Sequence, residues 1–285
     1  MNHIILKTEN LTYSYGDGHQ ALKGISVEIK EGERVCVVGS NGAGKSTFFL
    51  NVNGVLKHDG GDIYFKGQKV GNSKKELNEL RRGVGIVFQD ADNQIIASTV
   101  MGEVSFGPMN LKLPKEEVIA RVDEALEYMN LSDFKERAPH YCSGGEKKRI
   151  SIADIIAMHS EVMIFDEPTA ALDPLNAAML EDVLTRLSAQ GKTLLISTHD
   201  MDFAYRWAER LVVFCNGEII ADGTPVDILA DDAIREKANL RKPMMLDVYE
   251  AMTRHGFSSM AEDHPKDPDA FNHWLGQLNQ MQASN

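Results

Sequence analysis

Two short stretches of this chain place reactive side chains where an ordinary fold has no need of them. The first is GSNGAGKST, Gly39 to Thr47. It fits G-x-x-x-x-G-K-[ST] with Gly39, Gly44, Lys45 and Ser46, and it lies between two apolar runs, RVCVV before it and TFFLNVNGVL after it. A strand, a Gly-rich turn and a helix in that order aim backbone N–H groups inward, so Ser40, Asn41, Gly42, Ala43 and Gly44 line a cradle for phosphate oxygens at a helix N-terminus. Lys45 supplies a full positive charge to the outer phosphates of a nucleotide. Ser46 offers a hydroxyl to the shell of a magnesium ion, and Thr47 continues into the helix. The second stretch is VMIFDEPTAALDP, residues 162–174, in which Asp166 and Glu167 follow four apolar residues directly. Charge at the end of a buried strand is costly unless it has a task. Beside a bound nucleotide, Asp166 would hold the magnesium, directly or through water. Glu167, one residue further out, would orient and deprotonate the water that attacks the γ-phosphate, a general-base contribution of about 10²–10⁴-fold.

A third stretch, YCSGGEKKRISIADIIAM (141–158), has Ser143, Gly144 and Gly145 ahead of Ile152, Ile155 and Ile156 at helical spacing. This is again a helix N-terminus with free N–H groups. It has no lysine in the loop and no strand leading into it, so by itself it reads as an N-cap. Two anion cradles in one chain, with only one equipped to hold a whole nucleotide, imply that the second completes a site on another molecule.

These residues need a scaffold. RVCVVG (34–39), GVGIVFQ (83–89), VMIFDE (162–167), TLLIST (193–198) and RLVVFC (210–215) are short, β-branched and apolar nearly throughout, as strands covered on both faces must be. Helical patterns between most of them predict a parallel sheet with helices on both sides. The front end instead alternates apolar with polar residues between Gly turns (HIILKTENLTYSY, GISVEIKEGE, GDIYFKGQKV), which predicts a separate antiparallel sheet. Residues from about Thr99 to Met158 read as mostly helical with one strong break, around Pro139. The expected fold is thus an α/β phosphate-loop NTPase with a parallel-sheet core, an N-terminal antiparallel β subdomain, an inserted helical subdomain at about 92–158, and a C-terminal helical extension at 226–285 following a nucleotide-binding domain at 1–225.

Composition limits the function. The chain has 285 residues, 43% apolar and 25% charged, and its apolar runs are too short to cross a bilayer. The N-terminal stretch lacks the basic start and long apolar core of a secretory signal, so a cytoplasmic location is expected. Cys36, Cys142 and Cys215 are scattered, without metal spacing, and read as reduced apolar residues. A net charge of −12 repels polyanions and counts against nucleic acid as a partner.

Taken in order, GSNGAGKST, Gln89 in VFQD, SGGE, VMIFDEP, AALDP and His199 in STHD resemble the nucleotide-binding domain of ATP-binding cassette (ABC) transporters over roughly residues 3–225. The resemblance implies ATP with Mg2+, sandwiched in a head-to-tail dimer between the phosphate loop of one subunit and the Ser143 helix of the other. It implies that Tyr15 stacks on adenine, that Gln89 links magnesium and attacking water to the transporter contact, that Asp173 reaches across the dimer, and that His199 touches the γ-phosphate. On its own each of these four has a plain reading: a strand-edge aromatic, a strand-end amide, a helix cap before Pro174, a solvated loop histidine. The signature departs from the usual pattern, which begins Leu-Ser-Gly-Gly-Gln, in having Cys142 and Glu146, and this puts the contacts of Glu146 near the opposite nucleotide in question.

Within that family, Asp92-Asn93-Gln94 after Gln89 and Ala204-Tyr205-Arg206-Trp207 after His199 are similar to the ATPases of energy-coupling factor (ECF) importers, the cobalt/nickel branch above all. The likeness implies a homodimer, or a heterodimer with a second ABC ATPase, on the cytoplasmic face of the membrane. Its partners would be a transmembrane scaffold protein and a membrane substrate-binding protein that selects cobalt, nickel or a vitamin. The alternative is a soluble ABC ATPase acting on nucleic acid or ribosomes, which two cassettes or a basic surface would favour. In the tail, VYEAMTRHGF and DAFNHWLGQLNQM have amphipathic helical spacing. His255, His264 and His273 read as solvated, and Met244, Met245, Met252 and Met260 as packing residues.

Overall fold

The computed structural model describes residues 3–89, 95–170, 172–257 and 264–283. Two sheets organise it. Strands β1 (Ile4–Ser14), β2 (Gln20–Lys30), β4 (Gly60–Phe65) and β5 (Gln68–Lys69) pair antiparallel in the order β2-β1-β4-β5. The alternation of buried and exposed residues along β2 covers one face only, as its apolar-polar pattern requires. The larger sheet has the order β10-β9-β3-β8-β7-β6, built from β3 (Arg34–Val38), β6 (Val84–Val87), β7 (Val162–Asp166), β8 (Thr193–Ser197), β9 (Arg210–Cys215) and β10 (Glu218–Gly223). All its pairings are parallel except that of the edge strand β10 with β9.

Because successive side chains of a strand face opposite ways, each central strand feeds two cores. Val35, Val37, Ile164 and Phe214 pack with Phe48 and Phe49 of α1 (Lys45–Val52) and with the antiparallel sheet. Cys36, Val38, Met163, Phe165 and Ile196 pack on the other face, against α3 (Val100–Asn110), α4 (Lys115–Tyr128), α5 (Gly144–Ala157) and α6 (Pro174–Ala189). Val118, Val122, Ala125 and Leu126 of α4 are buried at the spacing of a single helical stripe. Helix α2 (Lys74–Gly83) precedes β6, and α7 (Met201–Trp207) follows β8. Beyond β10 run α8 (Pro225–Ala230), α9 (Asp232–Ala238), α10 (Met244–Arg254) and α11 (Pro268–Ala283). Leu246 of α10 lies in the same core as α7, and the Met244 N–H donates to Asp202 Oδ1 at 2.6 Å, which fastens the tail to α7.

Three sequence expectations are revised. The antiparallel edge strand β10 extends the parallel sheet: Asn216 and Gly217, both at positive φ (51° and 82°), close the tight hairpin from β9 that an Asn-Gly pair favours. The helical stretch breaks after Asn110 and again after Tyr128, not only near Pro139; Lys112 (φ 57°) and Asn130 (φ 52°) take the left-handed conformation that terminates helices. In the tail, Met245 packs on the core as expected, whereas Met244 is exposed. Met260 lies outside the described residues, as do Asp92-Asn93-Gln94 and Ala171. The three cysteines are buried and unpaired. His264 leans on the Tyr249 ring and His273 Nε2 is 3.1 Å from Gln277 Nε2. Among the described residues, no helix is long and apolar enough to cross a membrane.

Candidate active site

The ends of β3, β7 and β8 bring the first two stretches together. The loop 39–44 leaves β3 through two turns that only glycine accommodates. At Gly39 (φ 144°) an added Cβ would stand 2.2 Å from the Phe214 carbonyl oxygen, and at Gly44 (φ 109°) 2.7 Å from that of Ala21. Lys45 is buried and donates to the Gly39 and Ser40 carbonyls at 2.8 and 3.2 Å, so its ammonium folds back under the loop. Burial pushes the Lys45 pKa down, against the pull of Glu167 and Asp166. The charge is held close to its carboxylates.

The opposite wall is acidic. Asp166 ends β7 fully within the fold, and in the parallel register its neighbour on β8 is Ser197. Ser197 Oγ donates to Asp166 Oδ1 at 2.5 Å and accepts the Glu167 N–H at 2.8 Å. One hydroxyl thereby fixes both acidic residues. Glu167 itself sits at φ 47°, a left-handed conformation unusual for a residue with a Cβ and costly unless its surroundings enforce it. Its carboxyl is buried; desolvation raises the pKa, while His199 and Lys45 pull it down and Asp166 pushes it further up. Glu167 Oε1 lies 3.3 Å from His199 Nε2 without a well-aligned hydrogen bond, and the same nitrogen is 2.8 Å from Asn41 Oδ1. An Nε2–H tautomer of His199 suits both acceptors. The histidine bridges the phosphate loop to the acidic strand end.

These groups open onto one cavity of about 480 Å3, lined by Tyr15, His19, Ala21, residues 41–47, Gln89, Asp166, Glu167, Ala170 and His199. Tyr15, on the loop after β1, stands at the rim with its hydroxyl 2.9 Å from Thr47 Oγ1. A larger cavity of about 680 Å3, walled by α2, α3 and α5, holds none of these residues.

Ser143, Gly144, Gly145, Glu146 and Asp173 do not line the loop cavity. Ser143 and Glu146 form a reciprocal capping box at the start of α5: Ser143 Oγ accepts the Glu146 N–H at 3.3 Å, and Glu146 Oε2 accepts the Ser143 N–H at 2.6 Å. That bond and the nearby Arg137 guanidinium hold the Glu146 carboxyl below its usual range. Asp173 caps α6, accepting the Asn176 N–H at 2.9 Å and the Asn176 side-chain amide at 2.5 Å. Both helix tips are exposed. Sequence reasoning had singled out every polar wall residue of the cavity except His19, and it passed over Ser197 behind the wall. Ser197 could have been found from its place two residues before His199 at a strand end.

Comparison with known proteins agrees with this arrangement. Residues 22–170 match the sequence profile of the family described as ABC transporter. The chain is 47% identical over 253 residues to the energy-coupling factor transporter ATP-binding protein EcfA of Methanothermobacter thermautotrophicus, spanning 89% of this chain and 81% of that protein. Its fold superposes on the structure of cbiO1 from Clostridium perfringens, part of the ABC transporter complex cbiONQ, with a TM-score of 0.73 and 41% identity over 88% of this chain and all of that one. It also superposes on a dimeric ATP-binding cassette in a post-hydrolysis state bound to ADP and Pi, with a TM-score of 0.71 and 31% identity over 78% of this chain and 99% of the other. Matched by that family over more than half its length and by such relatives over nearly all of it, the chain belongs to the ABC transporter family and is one of its ATPases.

Proposed function

We propose that this ATPase is the energising subunit of an ECF-type importer. Two copies, or this chain and a close relative, clasp ATP between the loop 39–47 of one subunit and Ser143, Gly144, Gly145 and Glu146 of the other, with Asp173 reaching across. Tyr15 stacks on adenine and Lys45 holds the outer phosphates. Glu167 serves as general base, while Gln89 and His199 sense the reacting phosphate. A transmembrane scaffold protein takes up the resulting motion, and a separate membrane protein selects the cargo, cobalt, nickel or a vitamin. The ATPase itself stays at the cytoplasmic membrane face, with residues 1–225 as its nucleotide-binding domain and 226–285 as an extension.

The observation that carries this reading is that the cavity is half a site. Lysine, carboxylates and histidine converge in it, whereas the second donor-rich helix tip is built, capped and exposed elsewhere on the same chain. Its relatives, one an ECF transporter ATP-binding protein and one a part of a cbiONQ complex, support the importer assignment, and the dimeric cassette with ADP and Pi supports the sandwich. The net charge of −12 weighs against the nucleic-acid alternative.

Magnesium fits the residues present. Ser46 and Asp166 offer hard oxygen donors on the cavity wall, with the Gln89 amide beside them, and among the described residues no cluster of three His, Cys, Asp or Glu forms a complete protein cage. Such a sparse oxygen set suits a cation that keeps waters and substrate phosphates as ligands. When bound, the ion neutralises charge developing on the phosphates.

Glu167→Gln tests the assignment. With Mg-ATP the variant is expected to elute as a dimer and to lose at least about a hundredfold in turnover. A variant that binds ATP yet stays monomeric would remove the sandwich.

A further inference from the structure

The capped tip of α5 and the Gln89 end of β6 are joined by one buried cation. Lys148 lies on α5 five residues beyond Ser143 and is only 3% exposed. Its ammonium donates to the Phe88 carbonyl at 2.8 Å and to the Gln89 carbonyl at 2.9 Å. A buried lysine is costly unless strong acceptors meet it, and these two are consecutive main-chain oxygens, the second belonging to Gln89 on the wall of the loop cavity. The tie crosses from the helical layer to the parallel sheet in the N-terminal half of α5, at the opposite end of the helix from the short link, residues 158–161, by which α5 runs on into β7. On the other side of α5, Arg149 Nη1 donates to the Met129 carbonyl at 3.0 Å, so the helix is tied in turn to the end of α4.

We propose that Lys148 is a positioning residue that makes the signature tip follow the nucleotide. Between Lys148 and Ser143 the helix is a little over one turn long, a rise of about 7.5 Å, too short to bend without breaking its hydrogen bonds. Any displacement of the Phe88–Gln89 main chain when nucleotide occupies the cavity is therefore passed to Gly144 and Gly145. A subunit with an occupied cavity presents its own tip differently to the partner subunit, so one site reports its state to the other. This rests on the reading of Gln89 as a nucleotide-facing residue.

The test compares Lys148→Met, which keeps the stem and removes the donors, with Lys148→Arg, which keeps donors at similar reach. Hydrogen exchange of the amides of residues 144–147 is followed with and without Mg-ATP, in chains also carrying Glu167→Gln and diluted until monomeric. Lys148→Met is expected to bind ATP in the monomer within about twofold of the parent, yet to lose the nucleotide-dependent change in exchange and, with Glu167 restored, at least about fivefold in kcat, the lower end of ordinary coupling between sites. Lys148→Arg should restore most of both. If Met at this buried position prevents folding, Lys148→Gln carries the same comparison. A Met variant whose exchange still responds to nucleotide as the parent does, or whose monomer loses ATP affinity as much as it loses kcat, overturns the proposal. Gln89→Ala separates the two readings: wild-type turnover in that variant would refute the role of the Gln89 side chain, whereas an unchanged exchange response in Lys148→Met refutes the tie.

Discussion

Ser197→Ala removes one oxygen atom that is shut off from solvent and lines no part of the loop cavity, and it should nevertheless disable the site. The hydroxyl makes two buried hydrogen bonds, one to a carboxylate at 2.5 Å and one from the Glu167 N–H at 2.8 Å. The first is in the length range of a charge-assisted bond, for which a contribution of about 1.5–3 kcal/mol is usual. The second leaves a buried N–H without its acceptor at a residue already held at φ 47°, a cost of about 1–3 kcal/mol. Part of this is recovered by relaxation, so we expect a net loss of about 2–4 kcal/mol. At about 2–3 °C per kcal/mol for a chain of this size, thermal unfolding should move down by roughly 4–12 °C. Positioning suffers as well: if Glu167 escapes its left-handed backbone, its carboxyl leaves the His199 nitrogen, and a misplacement worth about 1.4–2.7 kcal/mol lowers kcat by roughly ten- to a hundredfold. KM for ATP should change far less, because the bonds that hold Lys45 run to the Gly39 and Ser40 carbonyls and none of them involves the Ser197 hydroxyl. Steady-state ATPase kinetics and scanning calorimetry on the same preparations measure both effects. A variant with parental kcat and unchanged melting would show that the hydroxyl only fills space, and the account of how the two acidic residues are held would be wrong.

Two pH effects follow from the buried carboxyls. Desolvation raises the Glu167 pKa in the free enzyme, so the acid limb of the kcat/KM profile should lie above the ordinary glutamate range, and a limb at or below that range would contradict its burial. Asp154, on the wall of the larger cavity, is pushed up to about 7 by desolvation and by Glu103, and its Oδ1 has no hydrogen-bond partner. The folded chain thus holds this proton more tightly than the unfolded chain does, and the stability it confers is complete below about pH 4 and lost as pH rises through about 7. Asp154→Asn should therefore melt higher than the parent at pH 8, by about 1–3 kcal/mol of stability, and the gap should close only as pH falls to about 4; a gap of the same size at pH 8 and pH 4 would refute the assignment.

What the sequence disclosed was what local pattern controls. The runs RVCVV, VMIFD and TLLIS are apolar because both faces of their strands are covered, and the loop glycines announce turns that no other residue makes. Ser197 escaped notice because its role comes from register: it stands beside Asp166 only once β7 and β8 are paired. Lys148 was hidden for the same reason, since nothing in KKR marks which lysine is buried and tied to Gln89. Other features were present in the letters and passed over. Asn216-Gly217 spells the hairpin into β10, and Ser143-x-x-Glu146 spells a capping box, which the glutamine of the family pattern would form as well. The resembling residues Asp92-Asn93-Gln94 fall outside the described structure, so their part in the likeness stays at the level of sequence.

The capping box also decides what kind of visitor the tip of α5 can receive. Ser143 oxygen already takes a hydrogen from the Glu146 amide, and the Glu146 carboxylate is turned inward onto the Ser143 amide with Arg137 beside its other oxygen. What the cap leaves without an intrahelical partner at this exposed tip is the N–H groups of Gly144 and Gly145. The tip gives hydrogens and has little capacity to take any. A sugar hydroxyl or an ammonium group arriving there meets its own kind, whereas a fully ionised oxyanion is welcomed by every free bond, so selection begins with the polarity of the handshake, before shape is consulted.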